Sequence, residues 1–298
     1  MKLSRTVCRL FFAFMILATV GVRAAPAATI TLSVMGEEPA EDMRKILPLA
    51  SYLGKHLSAD GTTQGKVIVA KTLSEIATML RGGKIDLHFD SYARTLALSH
   101  LAGSKPILRR WKRGVAEYYG VIFARSDRGI NRLEDLHGKN IALEEEFSTV
   151  GQLLPKFMIT EKGLKLVPTD ARITQDSVGY TYAYWDENTM LWVLKGKVAA
   201  GAMDSQTYAE LGQKHGDILK VLAKTPPVPR HVVSIRPGMP QDLLANVKEI
   251  LIHMDQTEDG KKALQQFDRT AKFDELSEHN TGLIQKLGKL IEAEIKLQ

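Results

Sequence analysis

Cysteine is almost absent from this chain. The sequence of 298 residues has one, Cys8, and it lies near the N-terminus. A single cysteine cannot form an intramolecular disulfide, and a domain without cysteine has no thiolate for zinc and no thiol nucleophile. Enzyme motifs are missing too, since there is no Gly-x-Ser-x-Gly elbow, no P-loop and no His-Glu-x-x-His pair. The 8 histidines show no metal-ligand spacing. The sequence therefore predicts a protein without catalytic activity, metal or cofactor.

Long hydrophobic runs are also scarce, and one near the N-terminus stands out. Basic residues precede the apolar stretch Leu10–Val22, and small residues of the kind that signal peptidase accepts follow it. The stretch is too short to span a bilayer comfortably, and no later stretch approaches a membrane span. We therefore expect residues 1–25 to be a cleaved secretory signal that removes Cys8.

Excess basic charge is present in the whole chain but not in the part that should fold. The formal net charge is +6, and Lys2, Arg5, Arg9 and Arg23 all precede the first acid, Glu37. Removal of the predicted signal lowers the net charge to about +2. Because this remaining charge is small, we expect no nucleic-acid partner.

Strand-like and helix-like segments alternate along the rest of the chain, which is typical of α/β folds with mostly parallel strands. Strands are predicted at Thr29–Val34, Lys66–Ala70, Ile85–Phe89, Glu117–Arg125, Asn140–Leu143, Leu164–Val167, Ala199–Met203 and Val232–Ile235. Helices are predicted at Glu41–Leu57, Leu73–Arg81, Ala93–Leu101, Thr149–Lys162 and Asn188–Leu194. Pro48 lies inside the first of these, so that helix should kink or begin there. Two α/β units in series, with a helical tail from Gln241 to Gln298, suggest two lobes.

The most informative stretch runs from Leu136 to Gly151. A strand leads through a short loop into a helix that begins at Ser148-Thr149. Hydroxyl side chains at a helix start cap free backbone N–H groups, and the same N–H groups and the helix dipole can hold an anion. An ordinary helix cap and an anion site both fit this pattern. The three glutamates of the loop, Glu144–Glu146, are expected on its solvated edge.

Several segments together resemble one family. Leu136, Gly138-Lys139 and then Ser148-Thr149-Val150-Gly151 match a Leu-x-Gly-Lys strand followed by a Ser-Thr-Ser-Gly helix start. Further matches are Pro155, Pro48-Leu49-Ala50 with Tyr52-Leu53, Gly83-Lys84-x-Asp86, and Leu194-x-Gly196-Lys197 running to Met203-Asp204-Ser205. Over almost its whole mature length, the chain is thus similar to the PhnD-like phosphate, phosphite and phosphonate-binding proteins of ABC transporters.

The resemblance implies a type II periplasmic-binding-protein fold, in which two α/β lobes joined by hinge strands close on a ligand between them. Lobe 1 would comprise residues 26–119 and 233–298, and lobe 2 residues 120–232, with hinges at Tyr119–Arg125 and near Pro229–Val233. The implied function is capture of a small anionic, phosphonate-like or phosphate-like solute in the periplasm. The implied partner is the membrane permease of an ABC transporter, and we expect the protein to be a monomer.

The resemblance also implies the ligand-binding residues. The family's anion site carries over to Ser148, Thr149 and Gly151, with Val150 between them, and its polar strand end to Asp204. The other expected ligand-binding residues lie where this chain departs from the family pattern: Asp90, Ser91, Tyr92, Trp185, Asp186, Glu187 and Arg230.

These departures bear on the identity of the ligand. Val150 replaces a hydroxyl residue, so one donor is lost. Trp185-Asp186-Glu187 stands where the family often has Ser-His-Asp, and a carboxylate in place of a potential cation should weaken phosphate binding. Asp90-Ser91-Tyr92 replaces a Gly-Pro loop, and Arg230 replaces a small polar or acidic residue. A basic run around Trp111, formed by Arg109, Arg110, Lys112 and Arg113, is expected to be a solvated face, with transporter docking or balance of the ligand charge as the alternatives. The fold and the transport role follow from the resemblance, whereas phosphonate specificity does not.

Two other functions fit the same residues. The protein could be a periplasmic sensing subunit that reports its ligand to a membrane kinase or cyclase, and neighbouring genes would separate this function from transport. It could also be a secreted hydrolase, which turnover of a candidate ligand would support.

Overall fold

The computed structural model describes residues 28–276 and 281–296, so the predicted signal, residues 1–25, lies outside the described residues. The strands are β1 (Thr29–Met35), β2 (Gln64–Ala70), β3 (Leu87–Asp90), β4 (Lys105–Arg110), β5 (Glu117–Tyr118), β6 (Gly120–Arg125), β7 (Asn140–Leu143), β8 (Lys165–Pro168), β9 (Ser177–Tyr182), β10 (Ala200–Asp204), β11 (Leu219–Lys224), β12 (Val228–Pro229), β13 (His231–Ile235) and β14 (Phe273–Glu275). The helices are α1 (Pro39–Leu57), α2 (Leu73–Arg81), α3 (Tyr92–Ala102), α4 (Leu154–Glu161), α5 (Asp186–Leu194), α6 (Ser205–Gly212), α7 (Gln241–His253), α8 (Glu258–Gln266) and α9 (Thr281–Ile295). A π-helical turn, Thr149–Leu153, leads into α4.

Two mixed six-stranded sheets form the centres of two lobes. Lobe 1 is built on the strand order β14-β4-β13-β3-β1-β2, and lobe 2 on the order β11-β6-β10-β7-β9-β8. In lobe 1, β1 pairs in parallel with β2 and β3, whereas β13 runs antiparallel between β3 and β4. In lobe 2, β7 pairs in parallel with β9 and β10, and β6 is antiparallel to β10. The predicted α/β fold class is confirmed.

The core of lobe 1 explains why its first strand reads as a nearly continuous apolar run. Five consecutive residues of β1 are buried, because the strand lies inside the sheet and both faces of the sheet are covered. Ile30 and Leu32 belong to one buried cluster with Leu49 and Leu53 of α1. Among the described residues, no helix combines the length and the apolar character needed to cross a membrane.

The chain passes between the lobes twice. Strands β5 and β12 pair as a two-stranded antiparallel ribbon, with Val228 opposite Tyr118. The chain enters the sheet of lobe 2 at Gly120 and joins the sheet of lobe 1 again at His231. The division at 119/120 and 232/233 into lobes that move relative to one another stays a prediction.

Helix α9 follows lobe 1 in sequence but packs against both lobes. Leu287 and Ile291 lie in one buried cluster with Ala97 of lobe 1 and with Leu153 and Leu154 of lobe 2. A helix that contacts both lobes in this way restrains their separation, because opening the cleft exposes part of this apolar cluster.

Most predicted segments are confirmed, and α2 has the predicted bounds. Three details are wrong. Glu117–Arg125 forms two strands, since β5 pairs with β12 whereas β6 joins the sheet of lobe 2. Helix α1 does not begin at Pro48 but runs through it, with Ile46, Leu49 and Ala50 buried around the proline, whereas the alternative of a kink there stays a prediction. The helical tail is interrupted by β14, which pairs with β4.

Candidate functional site

A cavity of about 470 Å³ lies between the two lobes. Its lining comes from segments at the ends of strands in both sheets, which is where ligands bind in α/β proteins. Seven carboxylate side chains and seven lysine or arginine side chains are part of this lining. The cavity volume falls within the range of about 300–1,000 Å³ that is typical of small-molecule sites. The cavity is therefore large enough for a small organic solute, and its chemistry is ionic.

One part of the lining, which we call the basic wall, consists of Lys112, Arg230 and His231. Arg230 lies between β12 and β13 and is 7% exposed. Its guanidinium stacks 4.2 Å from the centre of the Tyr118 ring, and its terminal nitrogen lies 3.7 Å from Asp204. Its Nε and the Nδ1 of His231 have no hydrogen-bond partner within the described protein. Burial, with Lys112 next in effect, lowers the pKa of His231 well below its ordinary value, so this ring is neutral.

Lys112 adds an ammonium group to the basic wall. Its nearest carboxylate is Asp268, at 3.7 Å. Burial lowers the pKa of Lys112 to about 8, and the neighbouring Arg110 and Arg230 act in the same direction. Lys112 therefore loses its proton only slightly above neutral pH. Its protonated form would attract an anion that binds beside it.

The predicted solvated basic face at Arg109–Arg113 is wrong for Arg110. Arg110 is 1% exposed and stacks 3.4 Å from the centre of the Phe267 ring. It donates to the Thr270 hydroxyl, the Phe267 carbonyl and the Asp268 carboxylate. The sequence could not show this burial, because the partners lie on a segment more than 150 positions away.

A second part of the lining, which we call the acidic wall, consists of Glu144, Asp186 and Asp204. Asp204 caps the N-terminus of α6 and accepts from the N–H groups of Gln206 at 2.9 Å and Thr207 at 3.1 Å. Burial acts to raise the pKa of Asp204, but Arg230 and these hydrogen bonds outweigh it and hold the pKa below its ordinary value.

Asp186, in the first turn of α5, is less well compensated, since the Thr207 side chain lowers its pKa but does not outweigh burial and the neighbouring charges. Its buried Oδ1 has no hydrogen-bond partner among the described residues. Burial, together with the negative charges of Glu144, Asp204 and Glu187, raises its pKa to about 8. Burial also raises the pKa of Glu144, with Glu145 and Asp204 adding to the effect and the Ser148 hydroxyl opposing it. The carboxyl groups of Glu144 and Asp186 are therefore harder to ionise than ordinary side chains, whereas Asp204 stays ionised beside Arg230.

The predicted anion site at the helix start is built, but a protein carboxylate already contacts it. The Ser148 hydroxyl donates to Glu144 Oε2 at 2.5 Å, and the Gly151 N–H donates to Ser148 Oγ at 3.2 Å. Thr149 is fully buried, and its hydroxyl oxygen accepts from the Ala93 N–H at 2.9 Å. Ser148 lines the cavity, whereas Thr149, Val150 and Gly151 are buried without lining it.

The prediction that Glu144–Glu146 form a solvated edge is wrong for two of the three residues. Glu144 turns inward to Ser148, and Glu145 accepts from Arg94 at 2.7 Å. Both residues lie at the carboxyl end of β7, next to the cleft, where the fold brings a counter-charge that the local sequence does not show.

The remaining predicted site residues divide between the cavity and its surroundings. Asp90 and Ser91 line the cavity, and Asp90 is buried beside His88 Nε2 at 3.2 Å. Tyr92 is buried in the apolar cluster instead. Trp185 is 55% exposed and lines a neighbouring cavity of about 700 Å³, and Glu187 is exposed outside both. Ligand binding by these residues stays a prediction.

Unusual backbone conformations concentrate around the cavity. Arg113, Asp268 and Arg269 have positive φ angles of 55°, 50° and 51°, and all three line the cavity. Phe147 and Tyr184, with φ of 59° and 63°, directly precede Ser148 and Trp185. Left-handed conformations of residues other than glycine cost roughly 1–3 kcal/mol each and cluster at binding sites. The concentration of such residues around the cavity supports its choice as the candidate functional site.

Arg94 is a site residue that the sequence analysis missed. Its guanidinium lies 3.7 Å from Asp90 of lobe 1 and 2.7 Å from Glu145 of lobe 2. A second contact across the cleft joins the Ala93 N–H to Thr149. Arg94 lies in the first turn of α3, four residues after Asp90 at the end of β3, and this short spacing was the signal that the sequence offered. The lobes therefore touch across the cleft in this structure.

In residues 28–276 and 281–296, no group of three or more His, Cys, Asp or Glu side chains is arranged to hold a metal ion.

Comparison with known proteins gives a family and a fold. The family model described as "ABC transporter, phosphonate, periplasmic substrate-binding protein" matches residues 32–281. Structures of XAC2383 from Xanthomonas citri are similar: the one bound to chloride has a TM-score of 0.82 and 22% identity, covering 91% of this chain and 99% of that chain. The same protein bound to ATP has a TM-score of 0.80 and 21% identity, with 90% and 98% covered.

PhnD1 from Prochlorococcus marinus in complex with methylphosphonate has a TM-score of 0.66 and 16% identity, covering 90% of this chain and 99% of that chain. These likenesses, together with that to the aliphatic sulphonate binding protein SsuA from Escherichia coli, confirm the type II periplasmic-binding-protein fold. That SsuA match has a TM-score of 0.56 and 14% identity, covering 90% of this chain and 88% of that chain.

Proposed function

We propose, for a chain that belongs to the periplasmic substrate-binding proteins of phosphonate ABC transporters, that the cavity binds a small organic solute by a compact oxyanion group. The family implies a small solute and a membrane permease that receives it. The main support for an oxyanion comes from the buried guanidinium of Arg230. It lines the cavity, and its Nε has no hydrogen-bond partner in the described protein.

The energetics of buried donors support an anion at this place. A buried donor without a partner costs about 1–3 kcal/mol, and a hydrogen bond between charged groups is roughly twice as strong as a neutral one. Lys112 and His231 line the same cavity beside Arg230, and Lys112 has a carboxylate no nearer than 3.7 Å. An oxyanion would place several acceptor oxygens against all three side chains at once.

Closure of the cleft would couple binding to transport. The basic wall lies on segments that flank the sheet of lobe 1, and the acidic wall lies on lobe 2. A ligand that contacts both walls stabilises the closed arrangement, which the pair Arg94–Glu145 also favours. The closed form is the one that a permease would recognise.

Export is part of the same proposal. We propose that residues 1–25 direct the chain to the periplasm and are cleaved after Ala24 or Ala25. N-terminal sequencing of the protein from a periplasmic extract tests this proposal, and an intact N-terminus at Met1 would contradict it.

The binding proposal is tested by thermal shift and calorimetric titration of the mature protein with phosphate, methylphosphonate, ethanesulfonate and propionate. We expect at least one of these oxyanions to raise Tm, since a ligand that binds the folded state stabilises it by mass action. Arg230→Gln removes a charge-assisted hydrogen bond of about 1.5–3 kcal/mol, which corresponds to a roughly 10- to 100-fold weaker Kd.

The matched control is Arg128→Gln, a surface arginine of lobe 2 whose side chain is 57% exposed. This variant should bind as the wild type does. Oxyanion binding that is unchanged in Arg230→Gln would refute the proposal, and so would a complete lack of response to oxyanions alongside a response to amines.

A further inference from the structure

Two cavities meet at one contact between the lobes. We call the cavity of about 470 Å³ the inner cavity and its neighbour of about 700 Å³ the outer cavity. Their linings share five residues: Met35, Asp42, Lys45, Arg94 and Glu145. Building on the proposed function, we infer that the ion pair Arg94–Glu145 is a gate between the two cavities. The gate closes behind the bound oxyanion when the lobes meet, and it slows the release of that oxyanion.

The position of the ion pair is the first argument. Arg94 and Glu145 each line both cavities, and their charged groups lie 2.7 Å apart. Among the shared residues that the structure describes, Glu145 alone belongs to lobe 2. The neighbouring contact from the Ala93 N–H to Thr149 also joins the two lobes. Separation of the lobes therefore parts this pair and joins the two cavities.

The second argument is that lobe 1 holds Arg94 in place. The guanidinium lies 3.7 Å from Asp90, whose carboxylate accepts from the Ser91 N–H at 2.7 Å and lies 3.2 Å from His88 Nε2. His88 Nδ1 is 2.8 Å from the Ser33 hydroxyl, and both of these side chains are fully buried. This chain of polar contacts makes Arg94 the fixed half of the gate, and Glu145 is the half that arrives with lobe 2.

The third argument is that the position of Glu145 is tied to the inner cavity. Glu145 lies in the loop after β7, and its carbonyl accepts from the N–H of Ser148 at 3.1 Å. Ser148 lines the inner cavity. The Glu145 side chain is 35% exposed, against 11% for Arg94, so water can reach the pair when it opens.

The fourth argument is the charge on either side of the gate. Among the described residues, the outer cavity is lined by five carboxylates and by two basic side chains, Lys45 and Arg94. The inner cavity has seven of each kind. Because like charges repel, an oxyanion is less favoured in the outer cavity than in the inner one. The gate and the acidic outer cavity thus both act against release.

The experiment compares two substitutions of Glu145 that both remove its charge. Glu145→Gln keeps a side chain of the same size between the cavities, whereas Glu145→Ala opens the passage. The probe is whichever of phosphate, methylphosphonate, ethanesulfonate and propionate binds the mature protein most tightly in calorimetric titration. Stopped-flow tryptophan fluorescence, to which Trp185 of the outer cavity contributes, gives kon and koff.

We expect koff to rise while kon stays the same, because the oxyanion enters before the lobes meet. Loss of a partly exposed ion pair raises koff by roughly fivefold or less in Glu145→Gln. In Glu145→Ala the rise should be at least about threefold larger than in Glu145→Gln, because nothing then fills the passage. Equal koff values in the two variants, or an unchanged koff in both, would overturn the inference.

Glu210→Gln is the matched control. Glu210 of lobe 2 forms an ion pair with Arg113 of lobe 1, so this pair also spans the cleft, but Glu210 lines neither cavity. Its replacement should leave koff within about twofold of the wild-type value. A rise as large as that in Glu145→Ala would mean that contacts between the lobes in general set the release rate, and the gate would be refuted. Circular dichroism and Tm confirm that each variant is folded.

Failure of this inference is distinguishable from failure of the proposed function. If an oxyanion binds through Arg230 but the Glu145 variants release it as the wild type does, the gate is wrong and the proposed function stands. If none of the four oxyanions binds through Arg230, both are wrong.

Discussion

Asp186→Asn should make the protein more stable, by an amount that grows with pH. Asp186 has a pKa of about 8 in the folded protein, against 3.8 for the ordinary side chain. The folded state therefore binds the proton more tightly than the unfolded state does. Stability falls as the pH rises from about 4 to about 8, since the folded protein must then bury a carboxylate. Asparagine has the same shape and no charge to bury.

The expected gain in the free energy of unfolding follows from the pKa shift of Asp186. Each pKa unit corresponds to about 1.4 kcal/mol, which sets an upper bound of about 4 kcal/mol at pH 7. Asp186 is not fully shielded from water, and its acidic neighbours relax when it ionises, so we expect a gain on the order of 2 kcal/mol at pH 7 and below about 1 kcal/mol at pH 5.

Urea denaturation of the ligand-free protein at pH 5, 6, 7 and 8 measures this gain. Asp170→Asn serves as the control, because Asp170 is exposed and its replacement should leave the free energy of unfolding unchanged. A gain that does not change with pH, or a loss of stability at pH 8, would refute the reasoning about the acidic wall.

Two further predictions concern the basic wall and α9. In the Asp186→Asn background, affinity for ethanesulfonate should fall as the pH rises above 8, because Lys112, with a pKa of about 8, loses its proton. Calorimetry measures this affinity, and the fall should be absent when Lys112→Gln is added. A fall that persists with Lys112→Gln would contradict the assignment of this titration to Lys112. Glu294→Gln should lower the free energy of unfolding by about 2 kcal/mol, since it leaves the largely buried ammonium of Lys156, 3.0 Å away, without its counter-ion. Urea denaturation checks this prediction against Glu292→Gln on the exposed face of α9, and equal effects of the two substitutions would argue against it.

The fold could be read from the sequence because local patterns carried it. The segment Leu73–Arg81 has apolar residues at helical spacing, a capping box formed by Thr72 and Glu75, and glycine after its end, and the structure gives a helix with those bounds. Strand β4 was missed because its sequence, Lys105–Arg110, is rich in basic residues and proline. Its pairing with β13 and β14 depends on residues more than 100 positions away.

The site was only partly readable for the same physical reason. Four of the predicted site residues line the cavity: Asp90, Asp186, Asp204 and Arg230. They could be chosen from the sequence because each of them lies at or beside the end of a strand or the start of a helix. The inward turn of Glu144 could not be predicted, since a run of three glutamates normally faces water. Tertiary packing creates both the contact of Glu144 with Ser148 and the basic wall of the same cavity.

The most direct test of the proposed binding site is a crystal structure of the mature protein with methylphosphonate. We predict that the phosphonate oxygens lie in hydrogen-bond contact with Arg230 and Lys112. A phosphonate held by the N–H groups at Ser148, with Glu144 displaced from the helix start, would contradict this prediction.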